Sequence, residues 1–271
     1  MQNITGKIAF GGIAIGKIKE ISKENNVVRR VKIEDAKAEI ARFEAARDQA
    51  EEELKGLYDK AVKEVGEANA AIFEVHQMML EDEDYLDSIR NIIEAQSVNA
   101  EFAVATTGDN FAKMFADMDD DYMKERAADV KDISERVIRV LLQKEEKVNT
   151  SGAEKEKYII VADDLAPSET IQLDRETVLA FVTRHGSTNS HTAILARTMN
   201  IPALVSTAIP KEVNGKMAIV DGFKGIVIVE PEEETLKEYE KKQQDEKKRQ
   251  ELLQQLKGKP TITKEGKEIK L

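Results

Sequence analysis

No proline occurs before Pro167, and that absence sets what the first part of the chain can become. Proline removes a backbone donor and clashes with the preceding turn, so a long proline-free stretch leaves room for uninterrupted helices. The apolar pattern uses that room. From Ile33 onward, Ile40, Phe43, Ala50, Leu54, Leu57, Ala61 and Val65 recur at three- and four-residue steps, which predicts one amphipathic helix of about 30 residues. Further helical stretches are expected near 70–80, 84–94, 100–118 and 122–144, separated by the polar breaks QSVN and DMDDD.

On either side the period changes. The first 20 residues are poor in charge, carry Gly6, Gly11, Gly12 and Gly16, and place isoleucines near period two, as strands and turns do. After the break VNTSGAEKEK, the β-branched runs KYIIVADD, TVLAFVT, PALVS, KMAIVDG and GIVIVEP return. They are separated by LAPSETIQL and SHTAILARTMN, both expected to be helical. Two β-rich pieces flanking a helical middle predict a discontinuous α/β domain (1–31 and 148–231) with an inserted all-helical bundle subdomain (32–147). The remainder, 232–271, reads as a charged C-terminal linker helix with a thin apolar stripe, then GKPTITKEGKEIKL, expected to start a strand pair and a further domain. That abrupt ending is expected of a fragment.

The net charge of −11 is unevenly placed. Residues 32–147 hold 16 Lys and Arg against 30 Asp and Glu, a balance of −14, which leaves +3 for the rest. An acidic helical segment repels nucleic acid and anionic membranes and steers a basic protein partner, although charge alone favours the plainer reading of a solvated helical surface. The chain has no cysteine, which excludes disulfides, thiolate nucleophiles and Cys-ligated zinc. It shows neither a signal-peptide order nor a run of about 18 apolar residues, and a soluble, cytoplasmic protein is expected.

The chain has three histidines, and one lies where a strand hands over to a helix, in TRHGSTNSHTAILARTMNIPAL. TVLAFVT is the strand, Gly186 leads the turn, Ser190 or Asn189 is a natural N-cap, and His191 falls in the first helical turn before the stop at Pro202. Free backbone N–H groups and the positive end of the helix dipole gather there, which suits an anion such as phosphate. Ser190 and Thr192 flank His191 and are the expected phosphate-binding residues. A Ser190–His191 dyad is excluded because neighbours on a helix diverge. No HExxH is present, and no metal site is expected in this chain. His185 lacks the helix-terminus argument, and the loop LAPSETIQL offers Ser168 or Thr170 as caps and hydroxyls.

Taken together, SHTAILARTMNIPAL, APSETIQL, AIFEVHQMMLEDEDYL and DYMKERAADVKDI resemble the enzyme I family of the bacterial phosphoenolpyruvate:sugar phosphotransferase system, over the whole chain as that family's amino-terminal half. The resemblance implies an α/β phosphohistidine (swivelling) domain in which His191 is phosphorylated at Nε2. It implies that Thr170 hydrogen-bonds the other ring nitrogen and that Arg197 lies near the phosphate. It further implies that the helical insertion docks the histidine-containing phosphocarrier protein HPr, on a face matching Glu67, His76, Met78, Leu80, Tyr122, Met123 and Arg126.

Phosphoenolpyruvate and Mg²⁺ belong, on this resemblance, to a carboxy-terminal barrel absent here, which is also the usual dimerising part. The chain is therefore expected to be a monomer that exchanges phosphate with phospho-HPr and does not use phosphoenolpyruvate alone. The first motif is shared with pyruvate phosphate dikinase and phosphoenolpyruvate synthase, which leaves a domain of such an enzyme, or a non-catalytic binding module, as alternatives. Thr188 replaces the family's usual loop arginine, and Ala68 and Asn69 stand where charged residues are common on the docking face.

Overall fold

The computed structural model describes residues 1–21, 27–143, 156–174, 176–188 and 190–256. The strand pair expected after 258, most of the break at 148–157, and Asn189 lie outside them.

The proline-free stretch folds into five helices: α1 (Ala36–Val65), α2 (Glu67–Leu80), α3 (Glu83–Gln96), α4 (Ala100–Ala116) and α5 (Asp121–Leu141). Asp35 starts α1 by accepting from the backbone N–H groups of Lys37 and Ala38, both at 3.0 Å, a cap contributing about 1 kcal/mol. Gly66 separates α1 from α2 with φ of 83°, a left-handed conformation that favours glycine. The inward faces bury Phe43, Leu54, Phe73, Ile89, Ile93 and Ile133. Each such side chain stabilises the bundle by roughly 1.5–3 kcal/mol relative to exposure. Helices α4 and α5 come close because Gly108 carries no side chain: a Cβ there would lie 2.4 Å from Ser134 Oγ, which is itself hydrogen-bonded to Tyr85 Oη at 2.7 Å.

The remaining strands form one sheet: β1 (Gln2–Thr5), β2 (Lys7–Phe10), β3 (Ile13–Ile21), β4 (Tyr158–Ala162), β5 (Val178–Thr183), β6 (Ala203–Val205), β7 (Met217–Asp221) and β8 (Ile226–Val229), in the order β1-β8-β7-β3-β4-β5-β6-β2. Strands β1 and β2 stand at opposite ends of that order yet are joined through Gly6 alone. The sheet must therefore curl until its two outer strands meet, which removes exposed edges as a barrel does. Gly6 fits the seam: its N–H donates to Gly225 O at 2.9 Å, and a Cβ would meet Thr207 Cγ2 at 2.4 Å.

Period-two alternation divides the strands between two cores. Ile159, Val161, Ala180 and Val182 face the barrel interior with Leu204 and Val220. Their neighbours Ile160, Ala162 and Phe181 face outward and are covered by α7 (His191–Met199) through Ala193, Leu195 and Ala196. Strands β3 and β4 are parallel neighbours, so the five-helix bundle occupies the place of the crossover in a βαβ unit. The segment LAPSETIQL, expected as a helix, forms only the single turn α6 (Pro167–Thr170). Glu169 folds back to accept from Ala166 N–H at 2.8 Å, and the chain then sends Ile171 into the core of the bundle.

The last helix, α8 (Glu233–Leu256), lies against the outer face of the sheet through Leu236 and Tyr239, beside Ile13, Ile15, Ile219 and Ile228. Tyr239 Oη donates to the buried Asp221 Oδ2 at 3.1 Å. Burial, then the Asp221 carboxylate, push the Tyr239 phenol up from 10.0 to about 12. Because the folded state favours the neutral phenol, this contribution is complete below pH 10 and is lost as pH rises from about 10 to about 12. Burial pushes the Tyr85 phenol up to about 12 as well. Tyrosinate absorbance is accordingly expected to show late titration from both residues, and Tyr239→Phe is expected to reduce its amplitude by one phenol and to abolish the release of α8 that accompanies it.

Candidate functional site

The site is built where β5 ends and α7 begins. After Thr183 the chain turns through Gly186, whose φ of 99° favours glycine. The turn is fastened to its surroundings: His185 N–H donates to Asp163 O at 2.8 Å, and Ser206 Oγ donates to Gly186 O at 2.8 Å. Arg184 pairs with Glu20 at 2.6 Å and Asp163 at 3.1 Å. Ser190 is the N-cap, its Oγ accepting from Ala193 N–H at 3.4 Å. His191 is thereby the first residue of α7, with its side chain 38 % exposed.

Several expected partners lie elsewhere. The Thr170 hydroxyl donates to Pro167 O at 2.8 Å instead of meeting the second ring nitrogen of His191, because the α6 turn supplies a carbonyl directly beneath it. Thr170 and His191 do line one cleft, which is closed on the opposite side by Val65, Asn69 and Phe73 of the bundle. Arg197 braces the turn, donating from Nη2 to Thr188 O at 2.6 Å and from Nε to Ala9 O at 3.4 Å. Thr192 is buried, its hydroxyl directed to Leu165 O at 3.4 Å. It supports the helix start from beneath and offers no hydroxyl to the open side, contrary to expectation.

The expected docking residues divide. Met78 is 68 % and Met123 38 % exposed, and Glu67 is exposed at the start of α2. His76 and Leu80, on the same helix, are both 0 % exposed. They belong to the bundle interior and present no surface, a correction that follows from their position on the buried stripe with Phe73. Arg126 is half-buried and pairs with Asp129 at 2.9 Å. The side chain of Tyr122 lies outside the described residues. Met114, 48 % exposed on α4, is a further apolar surface residue that periodicity alone did not single out.

The residue that sequence reasoning missed is Asp129 on α5. Its Oδ1 stands 3.6 Å from Nε2 of His191 and 3.4 Å from Nε2 of His76, while Oδ2 takes the Arg126 guanidinium. Asp132, one turn on, accepts from Ser168 Oγ at 2.9 Å and faces Nδ1 of His76 at 3.6 Å. Two aspartates of the bundle thus reach the α/β domain at His191 and Ser168. Burial pushes the Asp129 carboxyl up, but the contacts with His191 and His76 outweigh it and hold the group well below the usual carboxylate range. The i, i+3 spacing of Arg126, Asp129 and Asp132 puts them on one face of a helix, yet no local signal says that His191 lies opposite.

Chemically, the arrangement offers a partly exposed imidazole at the positive end of a helix. Among the described residues, no group of three or more His, Asp and Glu side chains is arranged to hold a metal ion. No helix among the described residues is long and apolar enough to cross a membrane.

Residues 5–126 match the family model described as PEP-utilising enzyme, N-terminal, and residues 154–225 that of PEP-utilising enzyme, mobile domain. The Phosphoenolpyruvate-protein phosphotransferase of Bacillus subtilis (strain 168) is 41 % identical over 273 residues, covering 100 % of this chain and 48 % of the relative. That of Geobacillus stearothermophilus is 39 % identical, covering 100 % and 47 %. The chain thus spans about half the length of the curated relatives it matches. A solution structure of Enzyme I (nEIt) superposes with a TM-score of 0.71 at 38 % identity, over 90 % of this chain and 99 % of that one. A structure titled "N-terminal domain of Enzyme 1 - Nitrogen" gives 0.55 at 27 % identity, over 88 % and 98 %.

Proposed function

Since the chain belongs to the enzyme I family of phosphoenolpyruvate-protein phosphotransferases, we propose that it carries a phosphoryl group on Nε2 of His191, taken ultimately from phosphoenolpyruvate and passed to HPr for sugar uptake. The observation that supports this most is the setting of His191: a half-exposed ring at the first position of α7. The other two histidines lack that setting. His76 is sealed in the bundle and His185 sits exposed in a turn away from any helix end.

Phosphoryl transfer between two imidazoles asks a protein mainly for positioning and for electrostatic management of the phosphate. The fixed turn, braced by Arg197, and the free N–H groups of α7 are suited to the first task. The bundle is suited to receiving the partner. Its acidity, with the exposed methionines Met78 and Met123, matches a partner surface that is basic around an apolar centre, where charge raises the encounter rate and apolar contact supplies affinity. The test is transfer in both directions. Labelled phosphate from phospho-HPr should appear on the chain and, after removal of the donor, return to fresh HPr. A chain that binds HPr without taking label would be a docking module only.

A further inference from the structure

We infer that Asp129 sets the phosphoryl-transfer equilibrium of His191 by favouring the unphosphorylated ring, and so drives phosphate onward to the partner. This rests on the reading above that Nε2 is the atom which carries phosphate.

Asp129 Oδ1 lies 3.6 Å from that nitrogen. The contact is attractive only while Nε2 can bear a proton. In transfer, the P–N bond of phospho-HPr breaks as a P–N bond to Nε2 forms. The electron pair of the old bond stays on the HPr imidazole, which takes up the proton that Nε2 gives up. The product has lost its donor toward Asp129 and has gained between one and two negative charges next to a carboxylate. Turning the ring away relieves the repulsion but still forfeits the contact, so both outcomes act in one direction.

The rest of the cluster does not cancel the effect. Arg126 occupies Oδ2 at 2.9 Å, and His76 shares Oδ1 at 3.4 Å. Behind them Asp132 faces His76 at 3.6 Å and is fixed by Ser168 at 2.9 Å. The guanidinium meets Oδ2 of Asp129 and leaves Oδ1, the oxygen that faces His191, to His76. Both aspartates are buried, where water and salt screen poorly. Asp132 Oδ2 and both ring nitrogens of His76 have no hydrogen-bond partner, so the cluster is held by charge more than by aligned bonds. His76, which has no other evident task, stands as the positioning residue behind Asp129.

The experiment is the equilibrium constant for phosphate exchange between phospho-HPr and the chain, for the natural sequence, Asp129→Asn and Asp129→Glu. Asp129→Asn is expected to move the equilibrium about tenfold toward the phosphorylated chain, equivalent to about 1.4 kcal/mol, and Asp129→Glu to restore most of the natural value. A residue that only supports the fold would change the melting temperature without moving this ratio. An unchanged ratio, or one displaced toward phospho-HPr, overturns the inference. If the natural chain accepts nothing from phospho-HPr, the functional reading fails by itself. Asp129 is then tested on His191 loaded with phosphoramidate: slower hydrolysis in Asp129→Asn supports the inference, and equal or faster hydrolysis overturns it.

Discussion

Leu80→Ala is expected to lower the stability of the chain by about 2–5 kcal/mol, the range for truncating a fully buried leucine, with little direct effect on partner binding. Leu80 ends α2 with no exposed surface, in the same core as Phe43, Leu54 and Phe73. The cost has two parts, the lost transfer of the side chain out of water and the cavity left between helices that relax only partly. The contrast is Met78, two residues earlier and 68 % exposed. Met78→Ala is expected to leave stability within about 0.5 kcal/mol and to weaken HPr binding by about 1–2 kcal/mol, as for a contact in an interface centre. Urea midpoints and HPr titrations on the two variants check both halves. A Leu80→Ala chain of natural stability that no longer binds HPr would place Leu80 on the docking face after all.

His191→Ala is expected to reduce phosphate exchange with phospho-HPr below detection, at least about 10³-fold, because removing a covalent nucleophile removes the intermediate itself. Folding should survive. The side chain is partly exposed at a helix start, and the polar tie it makes to the bundle is the contact with Asp129. His185→Ala is expected to leave exchange within about twofold, since that ring lies at the turn and away from the helix terminus. Rates on the three chains at one HPr concentration decide this. Loss of exchange in His185→Ala, with His191→Ala unaffected, would reverse the assignment.

The elements were readable wherever one period dominates. The pattern from Ile40 to Val65 predicts a 30-residue helix, and α1 is that length. The five β-branched runs after residue 156 are all strands. Closure of the sheet was not readable, because it depends on β1 and β2 pairing with β8 and β6, more than 190 residues away. Local composition carries no trace of such partners. The turn at Pro167 misled for a related reason: LAPSETIQL has a helix start, but the core of the bundle draws Ile171 out of line after one turn.

At the site, His191 and its cap followed from strand, turn and helix signals in one short segment. His76 and Leu80 were placed on the docking face by the resemblance alone, whereas both lie on the buried stripe of α2 with Phe73. Asp129 escaped notice because its importance lies in a contact 62 positions along the chain. Thr188, at the position where the resemblance implies an arginine, gives its carbonyl to Arg197. Among the described residues, Asp129 is the charged group that faces Nε2.

The most direct measurement is the mass of the natural chain after incubation with phospho-HPr, followed by peptide mapping under alkaline conditions that preserve phosphohistidine. One added phosphate, confined to the peptide that contains His191, is the predicted result. No added phosphate, or a phosphate on another residue, would contradict the account at its centre.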